Sequence, residues 1–548
     1  MFTFYRFDVV GPGNWTATFL QDEEVIKIKE KGALKRLLSN IKFLVGYNNY
    51  SMCDKLVASV LKGIDPYKTI EKLNSKKRVT FNLQNPISID LKQELNVELD
   101  EIKYNLGYGS NMNDLEIMKE VFEKRDTYLS SKFEVVKEFK LSADNIKKTR
   151  VMLAAEVLNT RKGTDKERLN IIYDKSLTKN ELPKQVLSFY KGIEEQFNKG
   201  TDFKELEREK LVYKLAGLDH TFGFGGLHAA KENYAVEGHF MQIDVKSYYP
   251  SLILNNEYLD ENAHKYYETI YNDRRKLQEN KDNKEEAYKF IINIVYGGLK
   301  SKWTRLYNPQ ISNSVVVNGQ LILTHLILLL NNFCELVQTN TDGLIIKYDE
   351  VMKPSILQII ELFEQHYQLI FDIKYINKIA QKDVNNYVIR YEDSTLHAVG
   401  RFANFDGGNY ERNSYTIIDK ALVNHYMHDI KVNRTVMNEY KNNNLQAFQY
   451  IVKSGAHDGM VQETKEETLL ADSYKSNFTK LNKVNRVFAA RDKMLGTVYR
   501  YKEGRETKYT KVAYASENSV VWNDDLSKLN KRLLDLNWYI KECERWLF

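Results

Sequence analysis

The stretch Gln242-Ile243-Asp244-Val245-Lys246-Ser247-Tyr248-Tyr249-Pro250-Ser251 constrains this chain more than any other. Phe240, Met241 and Ile243 form an apolar run of strand length ahead of Asp244, and Pro250 opens a second apolar segment, Ser251-Leu252-Ile253-Leu254. Asp244 therefore stands where a sheet edge meets a turn, the place where open α/β sheets put their chemistry. A lone Asp at a strand end also reads as a turn or helix-cap residue. A second carboxylate shifts the balance. Asp342 lies in Glu335 to Tyr348, where two β-prone runs flank an Asp-Gly turn, so it projects from the tip of a tight hairpin. Taken by itself, that segment also reads as a plain surface hairpin.

Between the two carboxylates, Lys289, Asn293 and Tyr296 recur at i, i+4 and i+7, which puts all three on one helix face. Ile291, Ile292, Val295 and Leu299 are left for the packed side. A cation, an amide and a ring on one stripe suit a triphosphate, a base edge and a stacking surface. The plainer reading is an amphipathic helix with a polar face.

These three stretches, in this order, resemble motifs A, B and C of family B DNA polymerases. Motif A, Asp-x-x-Ser-Leu-Tyr-Pro-Ser, matches Asp244 to Ser251 with Tyr248 in place of Leu; motif B, Lys-x-x-x-Asn-x-x-Tyr-Gly, matches Lys289, Asn293, Tyr296 and Gly297. Motif C, usually Asp-Thr-Asp-Ser, is Asn340-Thr341-Asp342-Gly343, with Asn for the first Asp. The resemblance implies that Asp244 and Asp342 bind metal, completed by the backbone carbonyl of Val245. It further implies that Lys289 and one of Arg274 and Arg275 grip the triphosphate, and that Tyr249 is the steric gate under the sugar. The implied partners are primer-template DNA and dNTPs, and the implied cofactor is Mg²⁺, as two ions for which Mn²⁺ substitutes.

The chemistry accounts for those residue types. Mg²⁺ takes hard oxygen ligands, commonly one or two carboxylates plus substrate phosphates. Two such ions roughly 3.5–4 Å apart clamp the attacking and leaving oxygens of an in-line displacement, and a lysine adds charge beside the leaving group.

At 548 residues the chain has room for several domains, and 43% hydrophobic with 28% charged residues excludes a disordered class. A net charge of +6 is mildly basic and compatible with a phosphate-backbone partner. Cys53, Cys334 and Cys543 have neither metal-ligand spacing nor a disulfide framework, which fits a reducing, cytoplasmic setting. The N-terminus lacks a secretory pattern, and the apolar run Leu321 to Leu330 is too short to span a bilayer, so no membrane partner is expected.

By resemblance the fold is an α+β multidomain right hand of palm, fingers and thumb behind an RNase H-like exonuclease-type domain. Residues 1–140 resemble that 3′–5′ exonuclease domain in damaged form. Its first motif, Asp-x-Glu, falls at Asp8 with Val10 in the Glu position; its second aligns an expected Asp with Cys53 or Asp54; its third keeps Asp114 and has Ser110 for Tyr. A metal-assisted nuclease does not survive that loss of ligand charge. Residues 141–235 form a linker and palm entry, with helix formers and the basic residues Lys147, Lys148, Arg150, Arg161 and Lys162. The glycines of Gly223-Phe224-Gly225-Gly226 suit a loop against the template, which places Gly225 and Gly226, with Thr341, among the DNA contacts.

Residues 236–262 and 301–395 then make the palm, 263–300 the fingers and 396–548 the thumb. Motifs A and B are only about 45 residues apart, room for one helical hairpin of fingers. This order resembles polymerases encoded by phages of Gram-positive bacteria. Tyr387 takes the place of the tyrosine of the family's Lys-x-Tyr motif at the primer terminus. In the thumb, Lys475, Lys480, Lys483, Arg486, Arg491 and Lys493 with Tyr474 and Phe478 suit a grip on duplex backbone. The expected activity is DNA-templated addition of dNTPs without proofreading. The alternatives are a template-independent, end-extending nucleotidyltransferase and a non-catalytic DNA-binding replisome scaffold.

Overall fold

The computed structural model describes residues 2–160, 169–282, 284–467 and 474–548. Arg161 and Lys162 lie outside the described residues, as do the side chains of Tyr474 and Lys475.

The chain opens with β1 (Phe2–Gly11), β2 (Asn14–Gln21), β3 (Glu24–Ile28), β4 (Phe43–Gly46) and β5 (Ile87–Asp90), a sheet of order β3-β2-β1-β4-β5. The first three strands are antiparallel neighbours, and β1, β4 and β5 run parallel. Parallel strands need crossover connections, which the helices Lys31–Ser39, Cys53–Leu61 and Pro66–Asn74 supply. Five further helices, from Leu99–Asn105 to Lys184–Asn198 with Asp114–Lys124 and Arg150–Val157 between, lead to the second sheet.

That sheet has nine strands: β6 (Leu211–Leu215), β7 (Leu218–Phe222), β8 (His228–Ala230), β9 (Tyr234–Val245), β10 (Glu335–Asn340), β11 (Gly343–Lys347), β12 (Phe371–Asp383), β13 (Asn386–Tyr391) and β14 (Leu396–Val399). Their order is β14-β13-β12-β9-β11-β10-β8-β7-β6. The sheet starts at Leu211, within the stretch 141–235 read as linker and palm entry, and runs to Val399. β9 alternates between half-buried and exposed residues at its start and is largely buried from Phe240 to Val245, where helices cover the sheet.

A helical hairpin, Glu261–Glu279 and Glu285–Lys300, follows β9, and then the helix Pro309–Leu330 packs against the sheet. Asn308 caps this last helix by accepting the Ile311 N–H at 3.2 Å, with Pro309 at its first turn. At 22 residues it is longer than the apolar run read from sequence, and long and apolar enough to cross a membrane; 89% of its most apolar window is buried inside the fold, so it is a core helix here. Two of its buried polar residues are satisfied by neighbouring segments. Asn318 donates to the Ile172 carbonyl and the Tyr258 hydroxyl, and Gln320 donates to the carbonyls of Gly223 and Gly225.

The C-terminal part holds two small sheets, one of β15 (Tyr450–Lys453), β18 (Val484–Ala489) and β21 (Ser519–Val521), the other of β16 (Gly459–Glu467), β17 (Tyr474–Leu481), β19 (Leu495–Lys502) and β20 (Lys508–Lys511). Arg486, expected on a DNA-gripping surface, is fully buried instead: its guanidinium lies over the Tyr104 ring and donates to the Tyr108 carbonyl, so it ties this part to the N-terminal region.

Candidate active site

β10 and β11 form the hairpin expected around Asp342, with Thr341 and Asp342 as its turn. Thr341 has φ of 28°, and its amide is held by the Leu227 carbonyl at 3.0 Å. β11 pairs antiparallel with β9 so that Gly343 faces Asp244, and the Val245 amide donates to the Asp342 carbonyl at 2.8 Å. Two carboxylates about 100 residues apart in sequence thus meet at one end of adjacent strands. Gly343 is needed there, because a β-carbon at that position would overlap Asp244 Oδ1.

Both carboxyls are held above the usual carboxylate range. Burial, and then the Asp342 charge, push Asp244 up to about 6, against one hydrogen bond from Gln242 Nε2 at 2.6 Å. Burial likewise raises Asp342, opposed by nearby His228. The neighbouring lysines Lys246 and Lys374 pair with Asp372, at 3.9 and 3.7 Å.

Asp342, Thr341 and Val245 line a cavity of about 590 Å³ together with Tyr249, Arg274, Arg275 and Asn293. Asp244 is half-buried on the strand beside it and is not itself part of the lining. Ser247, in left-handed conformation, starts the helix Tyr248–Asn255, and Tyr248 plunges into the core to donate to the Gly319 carbonyl at 2.6 Å. Tyr249 turns the other way, its ring 4.2 Å from that of Tyr296. Gly297, next along the helix, has open space where a β-carbon would project. Arg274 is fixed at both ends, donating to Glu285 Oε1 at 2.7 Å and to Ser247 Oγ at 3.0 Å, whereas Arg275 is exposed.

Three expected residues sit differently. Lys289 shares its helix face with Asn293 but pairs with Glu286 at 3.1 Å and opens onto a second cavity of about 520 Å³, beside Arg125, Tyr128 and Arg150. The Tyr387 ring, expected at a primer terminus, is only 5% exposed, packed under the sheet in a cluster with Phe240 and Ile379. Gly226 is small for an intramolecular reason: a β-carbon there would overlap Thr341 Oγ1 and crowd His228, whereas Gly225 has open space. His228 went unnoticed in the sequence. Its Nε2 lies 3.5 Å from Thr341 Oγ1, and burial lowers its pKa. No local spacing marks it, since its place follows from the pairing of β8 with β10.

In the N-terminal region, Asp8 and Asp114 do come together, on either side of Arg6. Arg6 donates to both oxygens of Asp8 at 2.9 Å and to Asp114 at 2.9 Å, and Lys103 adds a 2.8 Å bond to Asp114. Cys53 lines the same cavity of about 900 Å³, with burial pushing its thiol up to about 12. Asp54 does not line it, being buried under Tyr5, Ser88 and Asn49. Val10 is 80% exposed near the end of β1.

No family model and no curated protein matches this sequence. Among solved structures the chain is similar to the family B DNA polymerase from the hyperthermophilic archaeon Pyrobaculum calidifontis, at 10% identity and a TM-score of 0.46, over 99% of this chain and 76% of that one.

Proposed function

We propose that this chain is a DNA-templated DNA polymerase that adds dNTPs to a primer 3′ end at the Asp244–Asp342 site. The observation that carries the reading is the convergence of two carboxylates, Asp244 half-buried and Asp342 exposed at the hairpin tip, both with raised pKa, at the edge of a cavity whose other side presents Arg274 and Arg275. Two acids that repel one another and lack a lysine or arginine partner suit divalent cations. Among the described residues no cluster of three or more His, Cys, Asp or Glu has metal-holding geometry; one or two carboxylates completed by substrate phosphates is the usual protein share for Mg²⁺. Asp244 and Asp342 are therefore the residues that would hold Mg²⁺, or Mn²⁺ in its place, with the Val245 carbonyl. Held by these residues, such ions would supply the positive charge that makes a 3′-hydroxyl a better nucleophile and offsets the charge of a departing pyrophosphate.

The chain's own groups supply positioning. Arg274, pre-set by Glu285 and Ser247, presents a rigid fork to a triphosphate. Tyr249, its ring backed by that of Tyr296, walls the cavity where a sugar and base would lie. Lys289 is turned towards Glu286, away from that cavity. The N-terminal region is proposed to be nuclease-inactive, since the Arg6 guanidinium already stands between Asp8 and Asp114, where a metal would have to bind.

The test is extension of a labelled primer on a template with Mg²⁺ and single dNTPs, comparing wild type with Asp244→Ala and Asp342→Ala. Addition directed by the template base and abolished in both variants supports the reading. Addition that ignores the template moves it to an end-extending transferase. DNA binding with no addition moves it to a scaffold. Shortening of the primer 3′ end, lost in Asp8→Ala, would overturn the inactive nuclease.

A further inference from the structure

The four-stranded sheet β17-β16-β19-β20 has an inner and an outer face of opposite character. Met460 and Val498 point inward with Val512 nearby, all 1% exposed or less, in a small core. The register puts Phe478 opposite Glu463, Lys480 opposite Val461, Tyr499 opposite Lys511 and Tyr501 opposite Tyr509, so these share the other face. The outer face of such a sheet is normally polar. Here it carries a parallel ring pair, Phe478 and Tyr509, with centroids 4.5 Å apart at 7°, and Tyr499 edge-on to both at 5.8 and 6.5 Å. The pair covers only one side of each ring, leaving Phe478 41% and Tyr509 44% exposed. Gly459 keeps the surface low at one end, because a β-carbon there would meet the Tyr501 ring at 2.6 Å.

The charge around these rings is cationic. Lys465, Lys480 and Lys511 share the face; Lys511 is paired with Glu517, and the carboxylate of Glu463 is engaged by the hydroxyls of Ser476 and Tyr499. Exposed rings on a β-sheet ringed by lysines provide a stacking surface for unpaired bases and neutralise a phosphate backbone. Duplex bases are already stacked on each other and offer these rings nothing.

We propose that this outer face binds single-stranded nucleic acid, stacking bases on Phe478 and Tyr509 and holding phosphates with Lys465 and Lys480. The surface belongs to a different sheet from the Asp244–Asp342 site, and the inference stands whatever reaction that site performs.

The experiment uses the full chain in EDTA, without dNTPs, and a labelled (dT)20 probe beside a blunt duplex of equal length. The double variant Phe478→Ala/Tyr509→Ala is expected to lose at least about tenfold in affinity for (dT)20 and less than twofold for the duplex. Lys465→Gln/Lys480→Gln is expected to shallow the dependence of log affinity on log salt by about 1.4, two phosphate contacts on a single strand. Phe478→Trp keeps a ring in place and serves as a reporter: (dT)20 should quench its emission relative to wild type, and the duplex should not. Unchanged (dT)20 affinity in the double variant, or equal losses for strand and duplex, overturns the proposal. So does an unquenched tryptophan in a variant that melts like wild type. Template-directed addition by the double variant is scored separately, so failure here leaves the polymerase reading to its own test.

Discussion

Asp244 and Gly343 face one another across β9 and β11, and the space that the glycine leaves is filled by the aspartate's carboxylate. The polymerase motif that this hairpin resembles usually carries Ser in that position, so the glycine and the Asp244 side-chain orientation go together here. Gly343→Ala is expected to push the Asp244 carboxylate out of place and cut nucleotide addition by about 100-fold, the usual cost of an ångström-scale misplacement. The strain of the added methyl should cost about 1–3 kcal/mol of stability. Single-turnover addition and a denaturant melt separate the two effects, and unchanged turnover would refute the link.

The two arginines of the helical hairpin differ in what holds them. Arg274 bridges Glu285 and Ser247, with side chains of the ion pair each 14% exposed, whereas Arg275 is exposed at the cavity rim. A pre-oriented fork loses less freedom when it takes a triphosphate. Arg274→Lys, which keeps the charge and loses the fork, is expected to raise the dNTP KM by about tenfold or more, and Arg275→Lys by less than threefold. Steady-state kinetics with one dNTP decides it, and equal effects would remove the distinction.

Much of this site was legible because its parts are local. A strand ending at Asp244, an Asp-Gly turn carrying Asp342, and a helix with Lys289, Asn293 and Tyr296 on one side follow from periodicity and turn chemistry over a few residues. What stayed hidden depends on long-range register. β12 lies between β9 and β13, which buries Tyr387, and β8 reaches β10, which brings His228 to Thr341. Arg6 meets Asp114 across 108 residues, and no spacing rule connects a basic residue on β1 to a helix start so far away. Arg486 shows the same limit from the other direction: a basic residue in a basic stretch reads as surface, yet Tyr104 and the Tyr108 carbonyl draw it inside.

The Arg6 cluster gives a ranking of stabilities. Asp8 is 42% exposed and pairs only with Arg6, itself 40% exposed, so solvent screens most of that pair. Asp114 also pairs at 2.8 Å with Lys103, whose side chain is 4% exposed, and removing its charge leaves that buried ammonium only the longer 3.4 Å pair to exposed Asp100. Asp114→Asn is therefore expected to cost about 2–3 kcal/mol in urea unfolding, and Asp8→Asn less than about 1 kcal/mol. The reverse order would mean that Asp100 alone suffices for Lys103, and adding Mg²⁺ should shift neither midpoint.

His220 gives a pH signature. It is fully buried on β7, with Nδ1 3.1 Å from the Leu218 carbonyl and Nε2 3.0 Å from Thr339 Oγ1 on β10. The carbonyl can only accept, so Nδ1 carries the proton and Nε2 accepts from the threonine. Burial pushes the pKa down to about 4. Unfolded, the same imidazole takes up its proton near pH 6.5, so between these values the unfolded chain binds more protons than the folded one. Stability therefore rises with pH across the interval and is lost as the pH falls from about 6.5 towards 4. The loss assigned to His220 is roughly 1 kcal/mol between pH 7 and 5.5. His220→Gln, which can still hydrogen-bond but does not titrate, should flatten the acid limb of a urea-midpoint profile by that amount while lowering stability at pH 7.5. A variant whose profile runs parallel to wild type would show that the acid loss comes from other groups. Because His220 holds Thr339, two residues before Thr341, the same variant should loosen the hairpin that carries Asp342, read as faster amide exchange at Asn340 and Thr341.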